Sequence, residues 1–289
     1  MSFRAFLPLA LAALLASPQA VLAKPLRTGG KLLLTNGITS LEGASGGGLT
    51  PWAVIAGNET ADGIGISAHG TLVEVENYDY QSAGIAIGFR DRVELSYAHQ
   101  DFNTNEIGAA LGIGADYAFS QDVLGAKVRL AGDLVYDRLP AIAVGIQYKN
   151  NNNAAIVRAV GAKSDEGVDY YASVSRLFLS HSILLSATAR LTKANQLGIL
   201  GFGGDRNDDY SLHFEGSAAW QLSPSLAIGG EFRSKPDNLG IAREDDWFDL
   251  FAAYAVNRHM TATVAYADLG SIATVKGQRG VFLSLQTAF

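Results

Sequence analysis

The sequence predicts an all-β protein, an antiparallel transmembrane β-barrel of the outer-membrane type with about twelve strands and fourteen as the alternative, preceded by a cleaved signal peptide. Three observations predict this fold class. The chain ends in a strand with alternating side chains, similar segments recur along it, and long and short spacers separate them in turn. The recurring segments are about ten residues long, the length with which a tilted strand crosses a bilayer.

The N-terminus predicts export. Arg4 gives a basic start, residues 5–16 form an apolar run, and Ala23 ends a small-residue cleavage site. The apolar run is too short for a transmembrane helix, and a cleavage site follows it. We therefore expect residues 1–23 to be a signal peptide.

The segment 24–62 is rich in glycine, including Gly46 to Gly48, and precedes the barrel domain that we expect at 63–289. The sequence leaves three placements open for it. It could lie in the periplasm, lie inside the lumen, or add two strands at Lys31–Ile38 and Thr50–Gly57.

The strands are predicted from side chains that alternate between apolar and polar, because successive residues of a strand point to opposite faces. Twelve such segments run from Gly63–Val73 to Gly280–Phe289. The last segment is typical of the closing strand of outer-membrane barrels, although Thr287 stands where a larger apolar residue is common. We expect barrel-assembly machinery to recognise the terminal Phe289.

The spacers alternate in length, as expected for a barrel with long extracellular loops and short periplasmic turns. A β-sandwich has no reason to keep that alternation. A strand at Ala154–Lys163 would change the strand count. The long spacers are 101–121, 150–167, 194–209, 234–244 and 269–279, and the short ones are 90–91, 133–139, 179–182, 222–224 and 257–259.

Aromatic residues near the strand ends predict the two girdles that mark membrane interfaces. The girdle on the turn side would contain Phe89, Phe178 and Trp220, and the girdle on the loop side Tyr148, Trp247, Phe248 and Tyr266.

Composition excludes several classes of function. Without cysteine the chain has neither disulfides nor thiolate metal sites, and its acidic balance with dispersed basic residues predicts no nucleic-acid partner. Asp205, Asn207 and Asp209 have the spacing of a calcium loop but lack its glycine and distal glutamate. His213 and Glu215 share a strand face without a nucleophile elbow. We therefore expect no metal, no cofactor and no enzyme.

Charged residues of both signs are predicted to line the lumen. One interpretation is a polar conduit for a small solute, and the other is a lattice of ion pairs that fills a narrow lumen. Lys149 and Asp249 belong to the same pattern. The candidates are Arg92, Glu94, Lys127, Arg129, Arg190, Glu215, Glu231 and Arg233.

Five strings of residues resemble a proteobacterial family of unknown function, number 3034: Gly30–Thr39, Gly46–Trp52, Leu191–Gln196, Gly201–Asn207 and Lys235–Gly240. The resemblance implies an exported outer-membrane protein and carries no established activity. Because several strings lie in predicted loops, we expect a recognition surface there, made of Lys193, Asn195, Asp205, Arg206, Asn207, Lys235, Asp237 and Asn238.

The leading functional hypothesis is a channel or transporter in the outer membrane of a Gram-negative bacterium, through which a small solute diffuses along the charged lumen. The alternative is a non-conducting structural or adhesive barrel whose loops bind a partner. A barrel-embedded hydrolase ranks third. Outer-membrane lipid and lipopolysaccharide are the expected surroundings in all three cases.

Overall fold

The computed structural model describes residues 30–61, 63–241 and 243–289, so the predicted signal peptide lies outside the described residues. It confirms a closed barrel of twelve antiparallel strands, each paired with its neighbours in the chain, with the last strand paired to the first. The barrel strands are β3 (Ile64–Val75), β4 (Asp79–Phe89), β5 (Val93–Asn103), β6 (Ala118–Ala131), β7 (Ala141–Asn151), β8 (Glu166–Phe178), β9 (Ile183–Thr192), β10 (Ser211–Ser223), β11 (Leu226–Arg233), β12 (Trp247–Asn257), β13 (Met260–Asp268) and β14 (Arg279–Ala288).

Helices are few and short. The helix α1 (Asn105–Ala110) lies between β5 and β6, and α2 (Ala154–Ala159) lies between β7 and β8. The second occupies the segment for which a strand was the alternative, so the count of twelve is unaffected. Within the described residues, no helix has the length and apolar character needed to cross a membrane.

The outer wall of the barrel is apolar and the inner wall is polar. On β5, Leu95 and Tyr97 are exposed on the outer face, whereas Glu94 and Ser96 are buried on the inner face. An exposed apolar band around a barrel is stable in a bilayer rather than in water. Of the aromatic residues assigned to the girdles, only Trp247 faces inward, because Phe248 takes the outward position where β12 begins.

The connections separate the two ends of the barrel. The turns 90–92, 132–140, 179–182, 224–225 and 258–259 lie at the end that also holds Phe289, here named the turn end. The opposite, loop end carries 104–117, 152–165, 193–210, 234–246 and 269–278, together with one short connection at 76–78. Phe289 closes the barrel through hydrogen bonds with Ile66 in both directions, at 2.8 and 3.0 Å.

Residues 35–56 fill the lumen, and we name this segment the plug. Its only strands are β1 (Ile38–Thr39) and β2 (Ser45–Gly46), which pair with each other and not with the barrel wall. All of its residues are buried. The glycines permit this close packing, because a Cβ on Gly37, whose φ is +71°, would lie 2.3 Å from the carbonyl oxygen of Gly46.

Candidate functional site

The candidate site is the contact between plug and wall inside the lumen. Six of the eight residues predicted to line the lumen are buried and face inward: Glu94, Lys127, Arg190, Glu215, Glu231 and Arg233. Arg129 lies at the turn end of the lumen. Arg92 does not line the lumen, because β5 begins one residue later, and its exposed guanidinium donates to the carbonyls of Arg129 and Leu130.

A cluster of six buried charges joins the plug to strands β7 to β11; we name it the luminal charge cluster. Glu42, between β1 and β2, accepts from Lys149, from Arg233 at 2.7 Å and lies 3.3 Å from Arg190. On the wall, Asp169 pairs with Lys149 and Arg190, and Glu215 pairs with Arg190 and Arg233. The cluster consists of Glu42, Lys149, Asp169, Arg190, Glu215 and Arg233, three charges of each sign.

Glu42 is held in its ionised form. Burial alone would raise its pKa, but Arg190, Arg233 and Lys149 outweigh burial and hold the pKa of this carboxyl well below its usual range. A buried charge is tolerated when it is paired and hydrogen-bonded. The plug therefore contributes the carboxylate that balances the wall.

A second contact holds the backbone of the plug. Glu94 accepts from the backbone N–H of Ser45 at 3.1 Å and of Ala56 at 2.8 Å, and Lys127 donates to the carbonyls of Ser45 and Trp52. Glu94 and Lys127 also pair with each other at 3.1 Å. A segment with little secondary structure needs such partners, since buried backbone groups without hydrogen bonds are costly.

A third contact centres on Glu231. Its carboxylate accepts from the Leu49 backbone N–H, from the Thr50 hydroxyl and from Ser217 on β10. Gly47 passes so close that an added Cβ would lie 1.7 Å from the Glu231 carboxylate. The Thr50 and Ser217 hydroxyl oxygens are 2.6 Å apart, which fixes the plug against the wall at this point.

At the turn end, a small ion-pair network holds the chain beside the plug. Asp91 pairs with Arg129 at 2.7 Å and with Lys31 at 3.0 Å, and Lys31 also donates to the carbonyls of Ile55 and Gly57. Burial lowers the pKa of Lys31, an effect that Asp91 partly offsets. Arg129 therefore pairs with Asp91 at the turn end of the barrel and does not line the middle of the lumen.

At the loop end, three loops are tied together over the lumen. Lys235 is buried and contacts both Glu244, at 3.0 Å, and Gln196, at 2.9 Å, while Gln196 also donates to Ser271. The backbone at Gln196 and Leu197 has positive φ angles of 46° and 64°, a strained conformation that the surrounding contacts hold in place.

The residues predicted for loop recognition mostly bind each other. Asn238 donates to Asn195, Arg206 pairs with Asp237 at 3.0 Å, and Asp205 accepts from the Gly240 backbone. Asn207 donates to Asn238, and Lys193 pairs with Asp208. Because Asn195, Lys235 and Asn238 are buried, they are not available to an external partner.

Beneath these loops lies a hydrophobic cluster that we name the apolar seal. It joins inward-facing residues of the barrel to loop residues and to Ile38, Leu41 and Leu49 of the plug. The remaining principal members are Val73, Tyr78, Tyr80, Phe102, Phe119, Leu197, Ile199, Leu200, Leu239, Trp247, Leu269, Ile272 and Phe282. The lumen is therefore closed at the loop end by packing as well as by the plug.

Sequence reasoning missed Glu42 and Asp169. Asp169 carries a signal that could have been used, since it shares the inward face of β8 with Tyr171, Ser173 and Ser175. Glu42 carries none, because it stands between two very short strands in a segment without periodicity.

His213, the residue considered for hydrolysis, lies on the luminal side of β10 near the loop end. It contacts Ser211 at 2.8 Å and Ser234 at 3.3 Å. Its neighbours Leu212 and Phe214 occupy the outer face, where lipid would lie. This position separates His213 from the membrane surface on the outside of the barrel.

A family model described as "Protein of unknown function (DUF3034)" matches residues 35–286. No curated protein matches the sequence. The KdgM porin in complex with disordered oligogalacturonate is similar in structure, with a TM-score of 0.51, 10% identity and coverage of 77% of this chain and 99% of that chain. The NanC porin gives a TM-score of 0.50 at 10% identity, covering 77% and 98%. The Escherichia coli outer membrane phospholipase A gives 0.41 at 8% identity, covering 77% and 92%. The two porins show that the fold is that of outer-membrane barrels.

Proposed function

Because the chain belongs to the DUF3034 family and has the fold of outer-membrane barrels, we propose that it is an outer-membrane barrel closed at rest by its own plug, through which a small solute passes when the plug moves. The apolar outer wall supports the location in a bilayer. The polar inner wall supports passage of a water-soluble molecule.

The observation that carries this proposal is the position of Glu42 among Lys149, Arg190 and Arg233. A carboxylate from the plug, whose strands do not pair with the barrel, balances cations that belong to the wall. When the plug leaves, Asp169 and Glu215 remain beside the same cations, and water can solvate the exposed wall. The wall can therefore exist with or without the plug.

The plug has the bonding expected of a removable element. Its contacts at Glu94, Glu231 and the luminal charge cluster are hydrogen bonds and ion pairs, which water can replace, whereas its contacts in the apolar seal are hydrophobic. The lumen carries both signs of charge, so we expect weak discrimination between small anions and small cations. This expectation follows the sequence-based hypothesis of a conduit, with the plug added as its gate.

The test uses a reversible disulfide, which the absence of native cysteines makes clean. The double substitution Thr50→Cys and Ser217→Cys places two thiols where hydroxyl oxygens are 2.6 Å apart. In planar bilayers, we expect brief openings from the wild-type protein, none from the oxidised double variant, and recovery on reduction. Thr50→Cys alone cannot form the disulfide and is the matched control, so its openings should be the same under oxidising and reducing conditions.

A deletion of residues 35–56 completes the test. If this variant folds, as judged by its β-sheet circular dichroism, we expect frequent or sustained openings. A folded deletion variant without conductance would overturn the proposal. It would favour the second candidate function, a non-conducting barrel, which is supported by the apolar seal. Openings that are identical in the oxidised and reduced double variant would show that the plug is not the gate.

A further inference from the structure

A cavity lies between the plug and strands β8 to β14. Its cavity volume is about 40 Å³, and the atom-free space reaches about 640 Å³ only when the open mouth is included. Leu33, Ser182 and Gln221 line its part at the turn end, while Glu231 and Asp249 lie farther along their strands toward the loop end. Its surface is otherwise mainly apolar, with Trp52, Leu177, Leu184, Phe251 and Phe282 in its wall.

Two carboxylates face this cavity without a cation. Glu231 and Asp249 are opposite each other in the register of β11 and β12, and both are buried. Within the described ranges, neither forms a salt bridge to a lysine or arginine. Like charges placed opposite each other on neighbouring strands are destabilising, and a buried carboxylate without a partner is costly.

The two carboxylates differ in their hydrogen bonds. Glu231 accepts from Leu49, Thr50 and Ser217, so its oxygens are occupied by the plug and β10. Asp249 is 2% exposed, and its Oδ1 has no hydrogen-bond partner. The hydroxyl of Thr263, which also lines the cavity, has no hydrogen-bond partner either. The cavity thus presents two free acceptors in an apolar surround.

We propose that this cavity binds a small, largely apolar molecule that carries a protonated amine. The ammonium group donates to Asp249 and Thr263 and supplies the positive charge that the neighbouring Asp249 and Glu231 lack. The apolar body packs against Trp52, Leu184 and Phe251, as in other ligand cavities with apolar walls and a few polar groups. The proposal rests on the plug position used in the proposed function, and the ligand would contact both plug and wall, stabilising the closed state.

Three probes of the same shape and different charge test the proposal: 2-phenylethylamine, 2-phenylethanol and 3-phenylpropionate. Binding to the purified full-length mature protein in nanodiscs is measured by calorimetry and by the shift in thermal unfolding. We expect saturable binding of the amine, at least about tenfold tighter than the alcohol, equivalent to about 1.4 kcal/mol, and no binding of the carboxylate. A bound ligand raises the unfolding temperature.

Asp249→Asn should reduce the affinity for the amine at least tenfold and leave binding of the alcohol unchanged, because it removes the carboxylate that accepts from the ammonium group. Asp209→Asn, an exposed loop position, is the matched control and should bind like the wild type. If Asp249→Asn does not fold, Thr263→Val serves instead, since it removes the second acceptor and should weaken binding of the amine alone.

Equal affinity for the amine and the alcohol would overturn the proposal, because the cavity would then select only apolar bulk. Absence of saturable binding, or an unchanged affinity in Asp249→Asn, would overturn it as well. Conductance of the Thr50→Cys and Ser217→Cys variant is measured separately. Reduction-dependent gating without amine binding would refute this proposal and leave the proposed function in place.

Discussion

The luminal charge cluster and the apolar seal both hold the same plug, but they do so by different physical means. The cluster places Glu42 among three wall cations. The seal packs Leu41 and Leu49 of the plug against barrel and loop residues such as Phe282. Paired buried charges depend on every partner being present, whereas hydrophobic packing depends on the area and volume that are filled.

The two kinds of contact have different consequences for opening of the lumen. Water can replace the plug at the charge cluster, because the wall there remains polar. At the apolar seal, opening exposes hydrophobic side chains to water, which is unfavourable in proportion to their area. We therefore expect the apolar seal at the loop end to oppose opening of the lumen. The luminal charge cluster is expected to fix the position of the plug. Four substitutions or changes of condition can test this division.

The largest effect is expected from Glu42→Gln. Removing one partner of a buried ionic cluster leaves uncompensated charge, which costs about 3–5 kcal/mol. The free energy of unfolding, measured by urea titration in detergent, should fall by this amount, and chymotrypsin should cleave the plug faster. Glu106→Gln, exposed on α1, is the matched control. A loss below about 1 kcal/mol, the range of surface pairs, would contradict the role of the cluster.

In the apolar seal, Leu239→Ala should remove about 3 kcal/mol, within the range for buried leucines. Leu239 is 1% exposed, so the substitution leaves a cavity beneath the loops. Its effect on urea unfolding should be the same at low and high salt, because the lost interaction is the packing of an apolar side chain. Ile241→Ala is exposed on the same loop and should change stability little. A salt-dependent effect of Leu239→Ala would argue against closure by packing.

Acidification should affect the plug at Glu42 and the loop contact at Glu244 in opposite directions. The folded-state pKa of Glu42 lies well below its ordinary value of 4.5, so its stabilisation is present above pH 4.5 and is lost as the pH falls through the folded-state pKa. Burial raises the pKa of Glu244 above 4.5, and this effect is larger than the opposing effect of Lys235. The contribution of Glu244 to the free energy of unfolding is therefore full below pH 4.5 and is lost as the pH rises through the folded-state pKa. Each unit of pKa shift corresponds to about 1.4 kcal/mol.

Hydrogen exchange, corrected for the intrinsic effect of pH, distinguishes the two regions. Protection at residues 40–50 should decrease as the pH falls below 4.5, while protection at 243–246 should be maintained or increase. Glu42→Gln should abolish the pH dependence of the plug and not that of the loop. Parallel loss of protection in both segments would show that they respond as one unit.

The smallest effect is expected at the surface pair of Arg206 and Asp237, which are 3.0 Å apart and each more than a third exposed. Arg206→Ala should reduce thermal stability by less than about 1 kcal/mol, because solvent and salt screen such pairs. Arg243→Ala, an exposed position on a neighbouring loop, provides the comparison. A loss as large as that of Leu239→Ala would mean that the surface pair, and not the packing beneath it, holds the loops together.

Local patterns in the sequence are sufficient to predict the barrel. Alternation along segments such as Val93–Asn103 depends only on the period of two residues that every strand has, and spacer lengths follow from the local chain. Inward charges such as Arg190 and Glu231 could be assigned for the same reason. The misplacement of Arg92 and Trp247 arose at strand ends, where one residue decides whether a side chain belongs to the wall or to a turn.

That the plug fills the lumen follows from contacts between distant parts of the chain and not from any local pattern. Residues 35–56 have no periodicity, and their partners lie far away in the chain, as with Glu42 and Arg233, which are 191 residues apart. The grouping of Glu231 and Asp249 around a cavity likewise depends on barrel closure and on where the plug lies. Local patterns determine strands, because strand geometry is local. The occupancy of the lumen is a question of packing between distant segments, and no local pattern encodes it.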